Sequence, residues 1–210
     1  EAIATLLKQS SGVIAQRFDS ATIMFADIVD FTPLAAKVPP LELVQLLNDI
    51  FSSFDQLADR YGLEKIKTIG DAYMVVGGLP VPRDDHAQAV IEMAIAMQKE
   101  IRAFKRMTRH PLKLRIGINT GPVIAGVIGL RKFSYDLWGD AVNVASRMES
   151  QGLPGKIQVT PCTYEALKDW YRFEQWGSVH IKGKGKMTTY LYVGRTASPR
   201  PDSHPETGSP

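Results

Sequence analysis

The chain has 210 residues, 44% of them hydrophobic and 22% charged, which is the make-up of a globular protein long enough to bury one full core. A net charge of +3, evenly spread, excludes nucleic-acid binding driven by bulk electrostatics but leaves a local phosphate site open. The single cysteine, Cys162, excludes an internal disulfide and favours an intracellular setting. No apolar run reaches the roughly 20 residues that span a bilayer, and no signal peptide opens the chain. Because the first residue is Glu1 and not methionine, the expectation is a cytoplasmic domain of a longer protein, with an upstream regulatory or membrane domain left open.

Residues 1–18 carry scattered apolar side chains (Ile3, Leu6, Leu7, Val13, Ile14) and read as a linker or helical lead-in. Residues 21–26 form a short apolar run with the length of a buried strand. After Pro39-Pro40, Leu43, Leu47, Ile50, Phe54, Leu57 and Tyr61 recur at steps of three and four, one face of a helix that Gly62 closes. Residues 65–69 and 72–76 are strand-like and meet at Gly70-Asp71, which predicts a β-hairpin. Pro80 and Pro82 break the chain. Asp84 or Asp85 then caps a second helix that turns Ala87, Val90, Ile91, Ala94, Ile95, Ile101 and Phe104 inward. Residues 112–118 alternate as a strand.

This order is the βαββαβ of a ferredoxin-like, α+β sandwich. A C-terminal α/β extension follows. Gly121-Pro122 leads to a separate apolar strand at 123–128, then come the segment 133–139, a helix over 140–149, a strand over 157–160, a short helix from Pro161, and closing strands around 180–181 and 190–193. From Thr196 the composition turns to Pro, Ser, Asp and Gly, predicting a disordered tail. The domain reading is therefore a lead-in over 1–18, one folded domain over 19–195 and a tail over 196–210.

Two acids close two strands: Asp27 in Phe25-Ala26-Asp27-Ile28-Val29-Asp30-Phe31-Thr32, and Asp71 at the hairpin. Right-handed crossovers place the first strand antiparallel beside the third, so both acids reach one edge of the sheet. Either one alone reads more readily as a strand-end cap or turn aspartate than as a metal ligand. The pair, with lysines nearby, points to divalent metal and a polyphosphate, because hard cations take oxygen ligands and share them with phosphates. Asn143 and Arg147, four apart, share a helix face that either grips a ligand phosphate or is simply solvated. Lys182-Gly183-Lys184-Gly185-Lys186 is a basic loop able to approach a phosphate, or a solvated charge run. Asp136 lies among Tyr135, Leu137 and Trp138 and needs a partner, either a salt bridge or a ligand amine.

These residues carry a resemblance. Phe25-Ala26-Asp27-Ile28, residues 64–74, Leu114-Arg115-Ile116-Gly117-Ile118-Asn119-Thr120-Gly121-Pro122, residues 135–148 and residues 181–185 resemble, in order, the blocks of class III nucleotidyl cyclases, the adenylyl cyclase catalytic domains of bacteria and mammals. The resemblance runs from Phe18 to Gly194. It implies that Asp27 and Asp71, helped by the Ile28 carbonyl, hold two divalent ions, Mg²⁺ or Mn²⁺. It further implies that Asn143 orients the ribose and that Arg147 stabilises charge at the α-phosphate. Arg115 and Lys182, with the backbone N–H groups of Phe31 and Thr32, are expected to contact the terminal phosphates.

Lys67 and Asp136 stand where the family reads the purine. A donor and an acceptor there match adenine N1 and its 6-amino group, so ATP is favoured over GTP. Guanylyl cyclases typically carry Glu and a small residue at those positions. Some bacterial relatives replace the aspartate by threonine, which this chain does not, and Asp30 stands where the mammalian form has glycine. Since one chain holds both halves of a site that the family assembles between two domains, a homodimer with two equivalent sites is expected. The rival readings are a guanylyl cyclase, a diguanylate cyclase, whose usual signature is absent, and an inactive nucleotide-binding or dimerisation module.

Overall fold

The computed structural model describes residues 14–104, 112–128, 134–181 and 183–196. An eight-stranded sheet runs in the order β2-β3-β1-β4-β6-β8-β7, with β5 paired to β4 off this path. At its centre, β1 (Ile14–Ile28) lies between β3 (Ala72–Gly77) and β4 (Leu114–Ile128), antiparallel to both. With β2 (Glu64–Ile69) outside β3, these four strands are the expected ferredoxin-like core.

Two helices cover one face. α1 (Phe31–Ala35) is a single short turn, and α2 (Pro40–Tyr61) follows it, stopped by Gly62, whose φ of 64° suits the left-handed C-cap. α3 (His86–Ala103) lies beside α2. Ile50, Phe54 and Leu57 of α2 join Val90, Ile91, Ala94 and Met97 of α3 against Met24, Ala26, Ile28, Ile116 and Ile118 of the sheet. Leu46, outside the expected stripe, is buried, while Leu43 is only partly so.

The other face carries α4 (Asp140–Ser150), whose Ala141 and Ala145 pack on Ile23, Phe25, Met74, Val76 and Leu137. Because side chains alternate across a strand, the residues between the α2/α3-facing ones look toward α4. Asp27 on β1 and Arg115, Gly117 and Asn119 on β4 are all of that set. Gly117 is required: a Cβ there would lie 2.0 Å from the Glu149 backbone nitrogen and 2.4 Å from the Met148 carbonyl carbon. The missing side chain lets the α4 backbone rest directly on β4.

The extension comprises β5 (Ser134–Trp138), β6 (Ile157–Val159), which is parallel to β4, α5 (Pro161–Leu167), and the β7 (Tyr171–Ile181)/β8 (Gly185–Arg195) hairpin. Thr160 caps α5 by accepting from the Thr163 N–H through its hydroxyl.

Several expectations need correcting. Residues 14–18 belong to β1, not to a lead-in, because they pair with 123–127 of β4. Gly121-Pro122 does not break the strand. β1 shifts register between Phe18 and Ala21, so Pro122 sits opposite that irregularity, where a missing N–H is tolerated. Asp85 is the N-cap of α3 but makes no side-chain capping bond, since its carboxylate accepts from Arg83 Nε at 2.6 Å and Nη2 at 2.7 Å. Residues 1–13 and 197–210, with most of the lead-in and tail, lie outside the described residues.

Candidate active site

Three acids and one guanidinium meet at the end of β1, on the α4 face. The register Asp27↔Ala72 sets Asp71, one residue earlier in the β2–β3 turn, beside Asp27. Gly70, with φ 61°, makes that turn. Arg115, opposite Asp27 on β4, donates from Nη2 to Asp27 Oδ2 at 3.0 Å and from Nε to Glu149 Oε1 at 2.7 Å. Burial, then Glu149, then Asp71 push the Asp27 carboxyl up to about 6, against the opposing pull of Arg115. Burial also raises Glu149, countered by its bond to Arg115.

Crowded carboxylates that resist ionising are what a cation relieves, and oxygen donors suit Mg²⁺ or Mn²⁺. No group of three or more His, Cys, Asp or Glu among the described residues encloses a cation unaided. A divalent ion can also be held by one or two carboxylates, with other oxygen donors completing its shell. Asp27 and Asp71 fit that description. Ile28 is buried in the core behind them and can offer only its carbonyl.

Lys67 and Asp136 come together at the junction of β2 and β5. Lys65 and Lys67 would share a face of a regular strand, but β2 shifts register between Lys65 and Lys67, so the two lysines diverge. Lys65 donates to Asp55 of α2 at 2.8 Å, while Lys67 donates to Asp136 Oδ2 at 2.5 Å. The Leu137 N–H donates to Asp136 Oδ1 at 2.8 Å, fixing the carboxylate. The salt bridge weighed for Asp136 is thus present, and it presents a donor and an acceptor side by side.

Asn143 and Arg147 are exposed on one face of α4. Glu149 is buried against Arg115, and two residues on an α-helix are separated by about 200°. The face bearing Asn143 and Arg147 therefore points away from the acidic corner of its own chain. Phe31 and Thr32 open α1, just after Asp30, which adopts φ 59° at the N-cap. Their N–H groups fall in a first turn, where no intrahelical acceptor exists. Lys182 lies outside the described residues. Its neighbour Lys184 is ion-paired with Asp140, tying the β7–β8 turn to the start of α4. Sequence reasoning missed Glu149, although an acid on the apolar stripe of Val144, Ala145 and Met148 is itself a signal.

The family profile "Adenylate and Guanylate cyclase catalytic domain" matches residues 13–194. The chain belongs to this family of nucleotide cyclases. It is 48% identical over 200 residues to an adenylate cyclase of Mycobacterium tuberculosis, covering 95% of this chain and 45% of that protein. It is 45% identical over 197 residues to the rat guanylate cyclase soluble subunit beta-2, covering 92% of this chain and 29% of that one. The chain thus spans less than half the length of these curated relatives. The guanylate cyclase domain of RhGC from Catenaria anguillulae, solved in complex with GTP, superposes with a TM-score of 0.82 at 37% identity, over 86% of this chain and 100% of that one.

Proposed function

We propose that this domain is an adenylyl cyclase, converting ATP to 3′,5′-cyclic AMP and pyrophosphate at sites shared between two copies of the chain. Overall identity does not choose the purine, since adenylate and guanylate cyclases match almost equally well. The observation that carries the choice is the Lys67–Asp136 pair. Lysine keeps N–H donors for adenine N1, and the carboxylate keeps lone pairs for the 6-amino group. Guanine presents N1–H and O6, the reverse order, and would leave both protein groups wrongly paired. Such a site discriminates by on the order of 10⁴.

The case for sharing rests on α4. Arg147 and Asn143 face away from Asp27 and Asp71, so the acids of one chain need the outer face of α4 from a second. The β4–β5 ribbon gives further support. Ile124, Gly126 and Ile128 lie opposite Trp138, Asp136 and Ser134, so Asp136 shares its face with Ile124, Ile128 and Trp138. Those three are 46%, 52% and 38% exposed, an apolar ladder that a partner chain would cover.

Asp27, Asp71 and the Ile28 carbonyl would hold two divalent ions, Mg²⁺ or Mn²⁺. Bound there, such ions supply Lewis-acid charge that makes the ribose 3′-hydroxyl a better nucleophile and screens the triphosphate. The 3′-hydroxyl gives up its proton to solvent, and its oxygen forms a bond to the α-phosphorus as the bridge to the leaving pyrophosphate breaks in line. Arg147 from the second chain stabilises the charge that develops at the α-phosphate, and Asn143 holds the ribose. Arg115, Lys182 and the N–H groups of Phe31 and Thr32 receive the terminal phosphates. Among the described residues no helix is long and apolar enough to cross a membrane.

The test is complementation. Asp27→Ala and Arg147→Ala chains should each be inactive alone. Mixed in equal amounts they should recover about a quarter of wild-type activity, since half of the dimers are mixed and each of those has one intact site. No recovery in dimers shown to be mixed would refute the shared site.

A further inference from the structure

We propose that Glu149 is a positioning residue: it holds the Arg115 guanidinium in place for the terminal phosphates, and it does so only for the site formed by its own Asp27. The inference rests on the shared-site reading above. Arg115 stands between two carboxylates, with Nε on Glu149 and Nη2 on Asp27. By taking Nε, Glu149 stops the guanidinium from turning its full fork onto Asp27, where a bidentate pair would compete with a cation for the carboxylate. The two Nη1 donors and one of Nη2 stay available to phosphate oxygens.

Glu149 is placed to do this rigidly. It is 8% exposed. Its backbone rests on Gly117, which leaves no room for a Cβ, and a Cβ at Gly152 would come within 3.2 Å of Arg115 Cγ, so the stem of Arg115 is boxed in as well. Removing one partner of a buried ion pair costs stability whatever that partner does, so the positioning role is read from substrate affinity at one site and not from stability.

The same helix turn serves two sites. Glu149 faces its own acidic corner, whereas Arg147, two residues earlier, faces outward to the other site. Mixed dimers separate these roles. In the complementing pair, the Arg147→Ala chain supplies Asp27, Asp71 and Arg115 to the one working site, and the Asp27→Ala chain supplies Asn143 and Arg147. Glu149→Met, close in volume but without an acceptor, can be placed in either chain. Both mixed dimers then carry the substitution in one of their two chains. Because Asp27 and Glu149 share Arg115, their effects on stability do not simply add, so the melting point of each dimer is measured beside its kinetics and the rates are compared where both are folded.

Placed in the Arg147→Ala chain, Glu149→Met should raise the KM for ATP and weaken pyrophosphate inhibition by about tenfold to a hundredfold, with Glu149→Gln, which keeps one acceptor, restoring most of the loss. Placed in the Asp27→Ala chain, it should leave KM near that of the parent pair. Equal losses in both placements, or a loss confined to the second, would overturn the proposal. If the parent pair never regains activity, the shared site fails instead. Calorimetric binding of inorganic pyrophosphate to the Glu149→Met homodimer then decides the Arg115 claim: about tenfold weaker binding supports it, and unchanged binding refutes it.

Discussion

Gly117→Ala is the smallest change that should damage both fold and chemistry. Its new Cβ would lie 2.0 Å from the Glu149 nitrogen and 2.6 Å from the Glu149 Cα. These are backbone atoms, so no rotamer change relieves the clash. To reach ordinary contact, α4 must retreat from β4 by more than about 1 Å, the scale at which misplaced groups cost on the order of 100-fold in rate. Overpacking costs about 1–3 kcal/mol, and contact with backbone places this case at about 3 kcal/mol. Urea unfolding reads the stability. The rate of cyclic AMP formation, measured at low urea where the variant is folded, reads the position of Arg147. Gly155→Ala is the control: Gly155 has φ 76° but no atom within 4 Å of a Cβ, so it should lose about 1 kcal/mol through backbone strain alone and keep its rate. A Gly117→Ala protein that is destabilised yet fully active would refute the claim that the seat of α4 sets the catalytic geometry.

Three other changes probe single groups. In chelator, Asp27→Asn should melt above wild type at pH 7: the wild-type carboxyl is raised from 3.8 to about 6, so the fold loses its contribution as pH rises through that window and holds an unfavourable charge above it. Mn²⁺ should then raise the melting point of wild type and not of the variant, and a variant that melts at or below wild type in chelator would contradict this. His86, hydrogen-bonded to Thr22 through Nδ1 at 2.8 Å, is held below its usual pKa by burial. Its contribution is complete above about pH 6.5 and is lost as pH falls through the lowered folded-state value, so His86→Gln should flatten the fall of urea midpoints below pH 6.5; parallel curves would argue otherwise. Asp30 is the one non-glycine residue at positive φ among the described residues, at 59°, so Asp30→Gly should raise the melting temperature by about 2 °C and, by removing a negative charge beside the phosphate loop, lower the KM for ATP. Unchanged values of both would count against strain and charge at that position.

The core was legible where local periodicity and tertiary packing agree. The α2 stripe of Ile50, Phe54 and Leu57 and the hairpin at Gly70-Asp71 follow from residues close in sequence, and the antiparallel meeting of β1 and β3 follows from the handedness of the crossovers that join those elements. Asp27 and Asp71 were found through that topology. What stayed hidden depends on distant partners. Arg17 looks like linker until Ile124 pairs with it across the sheet, and Pro122 looks like a break until the irregularity in β1 is seen opposite. β7 is polar and exposed along most of its length, so no apolar alternation marks it. Within the site, the divergence of Lys65 and Lys67 comes from one register shift that spacing cannot reveal. Glu149 marks itself as an acid on an apolar stripe, but its partner Arg115, 34 residues earlier, emerges only from the fold.

The central claim is that this domain makes cyclic AMP from ATP, with Lys67 and Asp136 reading adenine. The most direct measurement is the rate of cyclic nucleotide and pyrophosphate formation from ATP and, separately, from GTP, with Mg²⁺ or Mn²⁺, over a wide range of protein concentration. The account predicts cyclic AMP and pyrophosphate in equal amounts, a preference for ATP on the order of 10⁴ in kcat/KM, and specific activity that rises with protein concentration as dimers form. Cyclic GMP formed at a comparable rate, or no cyclic product at any concentration even with Mn²⁺, would contradict it.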